Sequence, residues 1–155
     1  MATADKRRVA VAVFNRAGDL EAALNELSLS GVDKEDICLL GRGNTISQMA
    51  GDGGPLSSFA KDLAAVREDG GSKPLLASSG RSIHQMLSEL PAERSVGERL
   101  ATWIPGRQSR LLEQFLDNAA VVLWVWIDNT DLERAVPGIL LRHTSHAVQV
   151  HEISG

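Results

Sequence analysis

The chain has 155 residues, a formal charge of −4 and 43% hydrophobic residues, which is enough apolar material for one folded core. Its single cysteine, Cys38, excludes a disulfide scaffold, and the mild acidity argues against binding to nucleic acid. The longest apolar run, 119–127, is shorter than the roughly 20 residues of a membrane-spanning helix. Because no signal-peptide pattern is found near the N-terminus, the sequence predicts a cytoplasmic protein without membrane association.

The N-terminal part of the chain, 8–41, has the pattern of a β-α-β unit. The run Val9–Phe14 is apolar at both parities, as expected for a strand that is covered on both faces. Asn15 is the expected N-cap of a helix whose apolar stripe covers Leu20–Leu27. A second short strand, Ile37–Leu40, completes the unit, and its Cys38 is expected to be a buried thiol.

Residues 42–118 form a long insertion after this unit. A segment of this length rarely lacks structure of its own, so we expect it to be folded. Apolar spacing predicts helices over 56–67, 83–90 and 98–116, with an interruption of the last at Pro105–Gly106. We expect these helices, or a second subunit, to cover the sheet face that the helices of the β-α-β units leave open.

The C-terminal part, 119–153, repeats the β-α-β pattern. Its first strand, Val121–Ile127, is again apolar at both parities, and an apolar helical stripe follows over Leu132–Leu140. Pro137 lies inside this stripe and predicts a kink or a restart of the helix. The last strand, 148–151, alternates apolar and polar residues, which is typical of an edge strand.

The two units align with each other. At an offset of 112, Asp19–Glu21 matches Asp131–Glu133, and the strand that begins at Val9 matches the strand that begins at Val121. Two such units favour an α+β fold with a ferredoxin-like βαβ repeat, in which both unit helices cover one face of a four-stranded antiparallel sheet. We therefore expect a single domain, with the long helical insertion between strands two and three.

A family resemblance is carried by two segments, VAVAVFNRAGDLEAALNELSLSGVDKEDICLLG and AAVVLWVWIDNTDLERAVPGILLRHTSHAVQVHEI. Their order of strand, acidic-capped helix, glycine and short strand resembles that of bacterial general-stress or heat-induced stress proteins. The similarity covers Arg8–Gly41 and Asn118–Ile153, roughly half of the chain. It implies a stress-related role, and it implies no catalytic residues, because that family has no well-defined chemistry.

Two clusters of residues are candidate binding sites. Glycines that follow a predicted strand let backbone amides approach a phosphate, and an arginine beside them adds positive charge. Such a cluster is formed by Gly41, Arg42, Gly43 and Asn44. A simple strand-exit turn is the alternative that we favour.

The second cluster consists of His143, His146 and His151. Imidazoles at this spacing can share a metal ion. The alternative, which we favour, is that the first two complement the dipole of a helix end and the third lies on an edge strand.

The scarce aromatic residues gather in one part of the predicted fold. Trp124 and Trp126 share a parity on the third strand, and Trp103 lies at the helix interruption before it. This arrangement predicts an interface between the sheet and the insertion or a second subunit. Arg107 and Arg110 lie near Trp103 and suggest a stacking site for a ligand or partner, with a buried tryptophan and solvated arginines as the alternative.

No nucleophile–base pattern, P-loop or cofactor motif is found in the sequence. The leading interpretation is a non-catalytic interaction module that forms a homodimer or higher homo-oligomer and needs no cofactor. The alternative is a sensor of a small ligand or anion, held near Gly41–Asn44 or under the insertion. An enzyme is the third possibility, since a fold alone does not define a function.

Overall fold

A computed structural model describes residues 6–50, 63–66, 75–78, 96–101, 104, 106–127, 130–144, 146 and 148–154. The helices and strands, in chain order, are β1 (Lys6–Phe14), α1 (Ala17–Leu29), β2 (Ile37–Arg42), α2 (Gly43–Ala50), β3 (Leu63–Val66), β4 (Leu75–Ser78), α3 (Val96–Leu100), α4 (Gly106–Asp117), β5 (Val121–Ile127), α5 (Thr130–His143) and β6 (Gln149–Ser154). The helix predicted over 83–90 lies outside the described residues, as does Trp103. None of the helices in these ranges combines the length and apolarity that crossing a bilayer requires.

The six described strands form one antiparallel sheet in the order β3-β4-β2-β5-β1-β6. At its centre, β1 pairs with β5 from Arg8 opposite Ile127 to Phe14 opposite Val121. β6 joins the free side of β1, and β2 joins the free side of β5. An α+β fold with four antiparallel strands and covering helices is therefore confirmed for β2, β5, β1 and β6, and two further strands extend this sheet.

The two additional strands come from the insertion. The helix predicted over 56–67 is wrong at 63–66, where β3 pairs with β4, and β4 pairs in turn with β2. Without this hairpin, β2 would present a row of unpaired backbone groups along its edge. The short segment Leu63–Val66 has no local preference strong enough to oppose the pairing, and periodicity alone does not distinguish a strand from a helix at this length.

Both unit helices cover the same face of the sheet. The buried side of α1 carries Leu20, Leu24 and Leu27, and that of α5 carries Val136 and Ile139. These residues form one core, the α1/α5 core, with the side chains that β1, β2 and β5 direct to this face. Burial of apolar side chains at this spacing is what holds amphipathic helices on a sheet.

One local prediction for these helices needs correction, and one alternative of a second is ruled out. Arg16 occupies the N-cap position of α1 in place of Asn15, and no side chain caps the helix there. α5 is one continuous helix that contains Pro137, so of the kink and the restart that the proline predicted, the restart does not occur. The neighbouring apolar residues Val136 and Ile139 are buried in the α1/α5 core, which offsets the cost of a proline in a helix.

The opposite face of the sheet is covered by α3 and α4. Leu100 of α3 and Leu112 and Leu116 of α4 form a second core, the α3/α4 core, with Cys38 and Trp124 of the sheet. Cys38 is a buried free thiol, as expected from its position in a strand. The insertion therefore contributes both a layer of helices over one sheet face and two strands at one sheet edge.

The internal repeat is correct for the helices and wrong for the first strands. At the offset of 112, Leu20 matches Leu132, and both are buried in the α1/α5 core. Val9 and Val121, which the same offset also matches, belong to the α3/α4 core and the α1/α5 core respectively. Since successive side chains of a strand point to opposite faces, the correct offset for these strands is an odd number.

Candidate functional site

The predicted anion site lies at the junction between β2 and α2. The strand ends with Gly41 and Arg42, and the helix begins with Gly43 and Asn44. A Cβ atom at Gly41 would come within 3.1 Å of the Ile46 side chain and 3.3 Å of the Val121 side chain. The first glycine therefore allows α2 to pack closely against β2, which is a structural reason for its presence.

Arg42 has a carboxylate partner. Its Nη2 donates a hydrogen bond of 3.1 Å to Oδ1 of Asp117, and the Arg42 side chain is only 15% exposed. Asp117 is the last residue of α4, so the pair connects β2 to the helix that covers the sheet. The Asp117 carboxylate offsets the positive charge of Arg42, the charged residue of the predicted anion site. The geometry favours a strand-to-helix junction here over a phosphate site.

The three histidines are not brought together. His143 Nε2 lies 2.8 Å from Glu26 Oε1, whereas His151 Nε2 lies 2.8 Å from Gln149 Oε1. Within the part of the chain that the structure describes, no group of three His, Cys, Asp or Glu residues is placed to hold a metal ion. The shared site suggested for His143, His146 and His151 therefore has no geometric support among these residues.

His146 belongs to a hydrogen-bonded corner where β1 and α5 end. Its Nε2 lies 2.5 Å from Asn15 Oδ1, and its backbone N–H donates to Thr144 Oγ1 at 3.1 Å. Thr144 Oγ1 donates in turn to the backbone carbonyl of Val13 at 2.5 Å, and the His146 and Phe115 ring centres are 4.5 Å apart. Asn15 thus stabilises this corner instead of capping α1, a role that local sequence does not reveal, because its partner is 131 residues away.

The predicted interface tryptophans are core residues of the single chain. Trp124 and Trp126 are 0% and 2% exposed, and both belong to the α3/α4 core. The insertion covers the sheet face on which they lie, and this is the first of the two alternatives that the sequence left open for that face. Trp103, the third residue of that expectation, lies outside the described residues.

The edge of the sheet formed by β6 is a surface that the candidate motifs did not include. β6 is the outermost strand and, among the described residues, pairs with β1 alone, so its predicted edge position is confirmed. Val150 in this strand is 48% exposed. Open edges readily recruit another strand, and proteins commonly protect them with charges, prolines or bulges. An exposed valine at an open edge is therefore a feature of a binding surface.

The side chains of β6 alternate between the two faces of the sheet. Val150 lies opposite Ala10, a residue of the α1/α5 core, and therefore lies on that face. His151 lies opposite Val9, a residue of the α3/α4 core, so Gln149 and His151 lie on the other face. There, their side chains form the hydrogen bond described above. One face of the edge thus carries Val150 followed by Glu152, and the other carries the polar pair of Gln149 and His151.

A second exposed apolar residue lies on the helix nearer to this edge. α1 leads to β2 and α5 leads to β6, so α5 is the unit helix nearer to the β6 edge. Leu141 of α5 is 59% exposed. It is two residues from His143, about 200° around the helix, and lies on the side of α5 opposite the buried Val136 and Ile139. We name the edge surface the β6 border, which consists of Gln149, Val150 and His151.

The charged residue beside the β6 border is paired within the chain. Glu152 lies opposite Arg8 of β1, and its Oε1 is 3.5 Å from Arg8 Nε. Arg8 also contacts Glu133 Oε1 of α5 at 3.3 Å. Exposed ion pairs of this kind contribute at most about 1 kcal/mol each to stability. Their effect here is to hold the charge of Glu152 over β1 and away from the outer edge.

His151 makes the stability of the chain depend on pH. Burial lowers the pKa of His151 from its ordinary value of 6.5, because burial disfavours the charged imidazolium. The unfolded chain then binds a proton more readily than the folded chain. The stability that the neutral imidazole provides is therefore present above pH 6.5 and is lost as the pH falls through that value toward the lower folded pKa.

When the pH is lowered from about 7.5 to about 5, we expect the free energy of unfolding to decrease less for His151→Gln than for the wild type. The glutamine amide can still bond to Gln149, but it does not titrate. Urea unfolding at the two pH values measures the difference. An equal decrease for the two proteins would show that His151 does not titrate differently in the folded and unfolded states.

Comparison of the chain with models of known families, with curated proteins and with solved structures gives no match. The functional argument therefore depends on the geometry of the chain itself. In that geometry, the polar candidates Arg42, His143 and His146 connect elements of the fold, whereas Val150 in the β6 border is exposed.

Proposed function

We propose that this chain is a non-catalytic cytoplasmic module with a ferredoxin-like core, which assembles into a homodimer or higher homo-oligomer and acts in a stress response. The observation that carries the proposal is the open sheet edge at β6 with Val150 exposed on it. The outward backbone groups of an edge strand supply hydrogen bonds to another strand, and its side chains supply specificity. The stress role is supported by the resemblance of Arg8–Gly41 and Asn118–Ile153 to the stress proteins.

The ferredoxin-like assignment is supported by the order of the strands. Without the two strands of the insertion, the order is β2-β5-β1-β6, with every pair antiparallel. Two β-α-β units that interleave in a split-βαβ fold have this order and keep both helices on one face. The shared α1/α5 core is consistent with that arrangement.

Gel filtration coupled to light scattering tests the assembly. We expect the measured mass to rise from the monomer value of 16.6 kDa to at least twice that value as the protein concentration increases over the micromolar range. Specific homodimers of small domains typically dissociate within or below this range. A mass of 16.6 kDa at every concentration up to the millimolar range would overturn the proposal.

A second candidate function, the sensing of a small anion, is supported by a depression along α4. It has a volume of about 320 Å³ and is lined by Arg107, Arg110, Leu111 and Gln114. Two guanidinium groups near an exposed leucine suit a phosphate or carboxylate that carries an apolar part. A thermal-shift screen with inorganic phosphate, nucleotides and carboxylates tests this function. A rise in melting temperature that Arg107→Ala removes would support it, and no shift with any of them would exclude it.

A further inference from the structure

We propose that two copies of this chain pair through β6 in antiparallel orientation, about a twofold axis beside Val150, and thereby join their sheets into one continuous sheet. The inference rests on the proposed homo-oligomeric function. It adds the surface, the register and the partner, which is a second copy of the chain.

Antiparallel pairing of two β6 strands gives a dimer with closed twofold symmetry. A twofold axis perpendicular to the sheet brings the same strand edge of both copies together, so the backbone donors and acceptors of one copy meet those of the other. The axis also keeps both α5 helices on the same side of the joined sheet. Val150 of each copy then lies at the junction on the face that the α5 helices cover.

The sequence of β6 distinguishes between the possible registers. Facing residues of an antiparallel pair lie on the same side of the sheet, so the axis must pass beside a residue. An axis beside Val150 places this valine opposite the partner's Val150, and Gln149 opposite the partner's His151. The result on one face is a valine pair, flanked on each side by Glu152 opposite the partner's Val148, and on the other face two pairs of hydrogen-bonding side chains.

Two neighbouring registers oppose identical polar side chains. An axis beside Glu152 opposes two carboxylates, and like charges directly opposite each other destabilise a strand pair. An axis beside His151 opposes two imidazoles and places Val150 against the partner's Glu152. The axis beside Val150 opposes no identical polar side chains. It places Glu152 against the partner's Val148, which precedes the strand, and it leaves the pair between Glu152 and Arg8 within each chain.

The polar face of the junction is suited to an identical partner. Within one chain, His151 Nε2 and Gln149 Oε1 are 2.8 Å apart. The twofold axis places two such pairs beside each other. The hydrogen bond between Gln149 and His151 of one chain can then be replaced by the same hydrogen bond between Gln149 of one copy and His151 of the other. An unrelated strand would match this pair only by coincidence. Self-complementarity is the reason for assigning a second copy to this edge.

Cysteine cross-linking tests the register. Directly opposite residues in an antiparallel pair have Cβ atoms about 4.5–5.5 Å apart, close enough for a disulfide after a small adjustment. We expect Val150→Cys to give at least about fivefold more disulfide-linked dimer under mild oxidation than Glu152→Cys, whose two copies would lie farther apart. The wild type is the background control, because its only cysteine, Cys38, is buried. More dimer from Glu152→Cys than from Val150→Cys would overturn the register.

A charge substitution tests the surface. Val150→Arg places two guanidinium groups opposite each other, and we expect the dissociation constant of the dimer to rise by at least about tenfold. Leu29→Arg is the matched control: Leu29 is 80% exposed at the end of α1, outside the β6 border, and this change should leave the constant unaltered. Circular dichroism checks that both variants are folded, and the cross-linking result stands independently if Val150→Arg is not.

The outcomes separate this inference from the function on which it rests. A wild-type dimer that Val150→Arg leaves intact, together with no enrichment of Val150→Cys cross-links, overturns the pairing through β6 but keeps the homo-oligomer. A wild-type mass of 16.6 kDa at every concentration overturns both. A dimer that Val150→Arg dissociates and Val150→Cys traps supports both.

Discussion

Replacing Trp124 with alanine lowers the free energy of unfolding by about 3–5 kcal/mol, the range expected when a large aromatic side chain is removed from a packed core. Trp124 is fully buried between the sheet and the helices of the insertion, where Leu112 and Leu116 belong to the same core. Folded domains of this size have a total stability of about 5–15 kcal/mol. Urea unfolding followed by circular dichroism measures the change.

The matched control is Leu29→Ala, which shortens an exposed apolar side chain in place of a buried one. A surface substitution of this kind changes stability by no more than about 0.5 kcal/mol. If Trp124→Ala were as mild as this control, the insertion would not cover the sheet face that carries the tryptophan. A second subunit, the other alternative that the sequence left open, would then be the candidate for covering this face.

Substitution of Gly41 by valine destabilises the chain by about 1–3 kcal/mol, the usual cost of overpacking. The intrinsic preference of valine for strands would favour the change at this position of β2. Packing opposes it, because the new side chain would enter the space in which a Cβ atom already lies 3.1 Å from Ile46 and 3.3 Å from Val121. Thermal or urea unfolding decides between the two effects.

Gly138→Ala is the control for Gly41→Val. Gly138 lies inside α5, and among the described residues nothing beyond its chain neighbours and the backbone of the same helix lies within 4 Å of the position that its Cβ would occupy. Alanine there should increase stability by about 0.5–1 kcal/mol through helix propensity and a less flexible unfolded chain. A neutral Gly41→Val would mean that α2 does not pack closely on β2. The glycine would then need another explanation, such as the ligand role first considered for it.

The central part of the fold could be predicted because its signals are local. Each strand and helix of the two β-α-β units has its own apolar period over a few residues, and those periods indicated β1, α1, β2, β5, α5 and β6. The edge position of β6 could also be predicted, because one of its two parities is polar. The strands β3 and β4 could not be predicted, since their formation depends on pairing between distant segments. Leu63–Val66 pairs with β4, and β4 in turn pairs with the edge of β2.

The faces of the first strands could not be read from the sequence. Both parities of Val9–Phe14 and Val121–Ile127 are apolar, so an alignment that is wrong by one residue looks as good as the correct one. The structure resolves the ambiguity through the helices: Ala10 faces α1 and α5, and Val9 faces α3 and α4. Only tertiary packing contains this information.

The candidate surface was predictable in part. Alternation at 148–151 indicated an edge, but the exposure of Val150 depends on the order of the strands. The motif-based candidates at Gly41–Asn44 and at the histidines were chosen for residue type. Their actual partners, such as Asp117 for Arg42, are distant in sequence and could not be inferred from spacing.

The position of β1 has a consequence for biosynthesis. Its two neighbours in the sheet, β5 and β6, begin at residues 121 and 149, so β1 has neither of these partners until β5 has been translated. At about 5–20 residues per second, this delay lasts several seconds or more. During that time Val9–Phe14 is an apolar segment without these partner strands, and chaperones bind segments of this kind. A nascent chain that stalls before β5 would therefore be a substrate for chaperones and proteases.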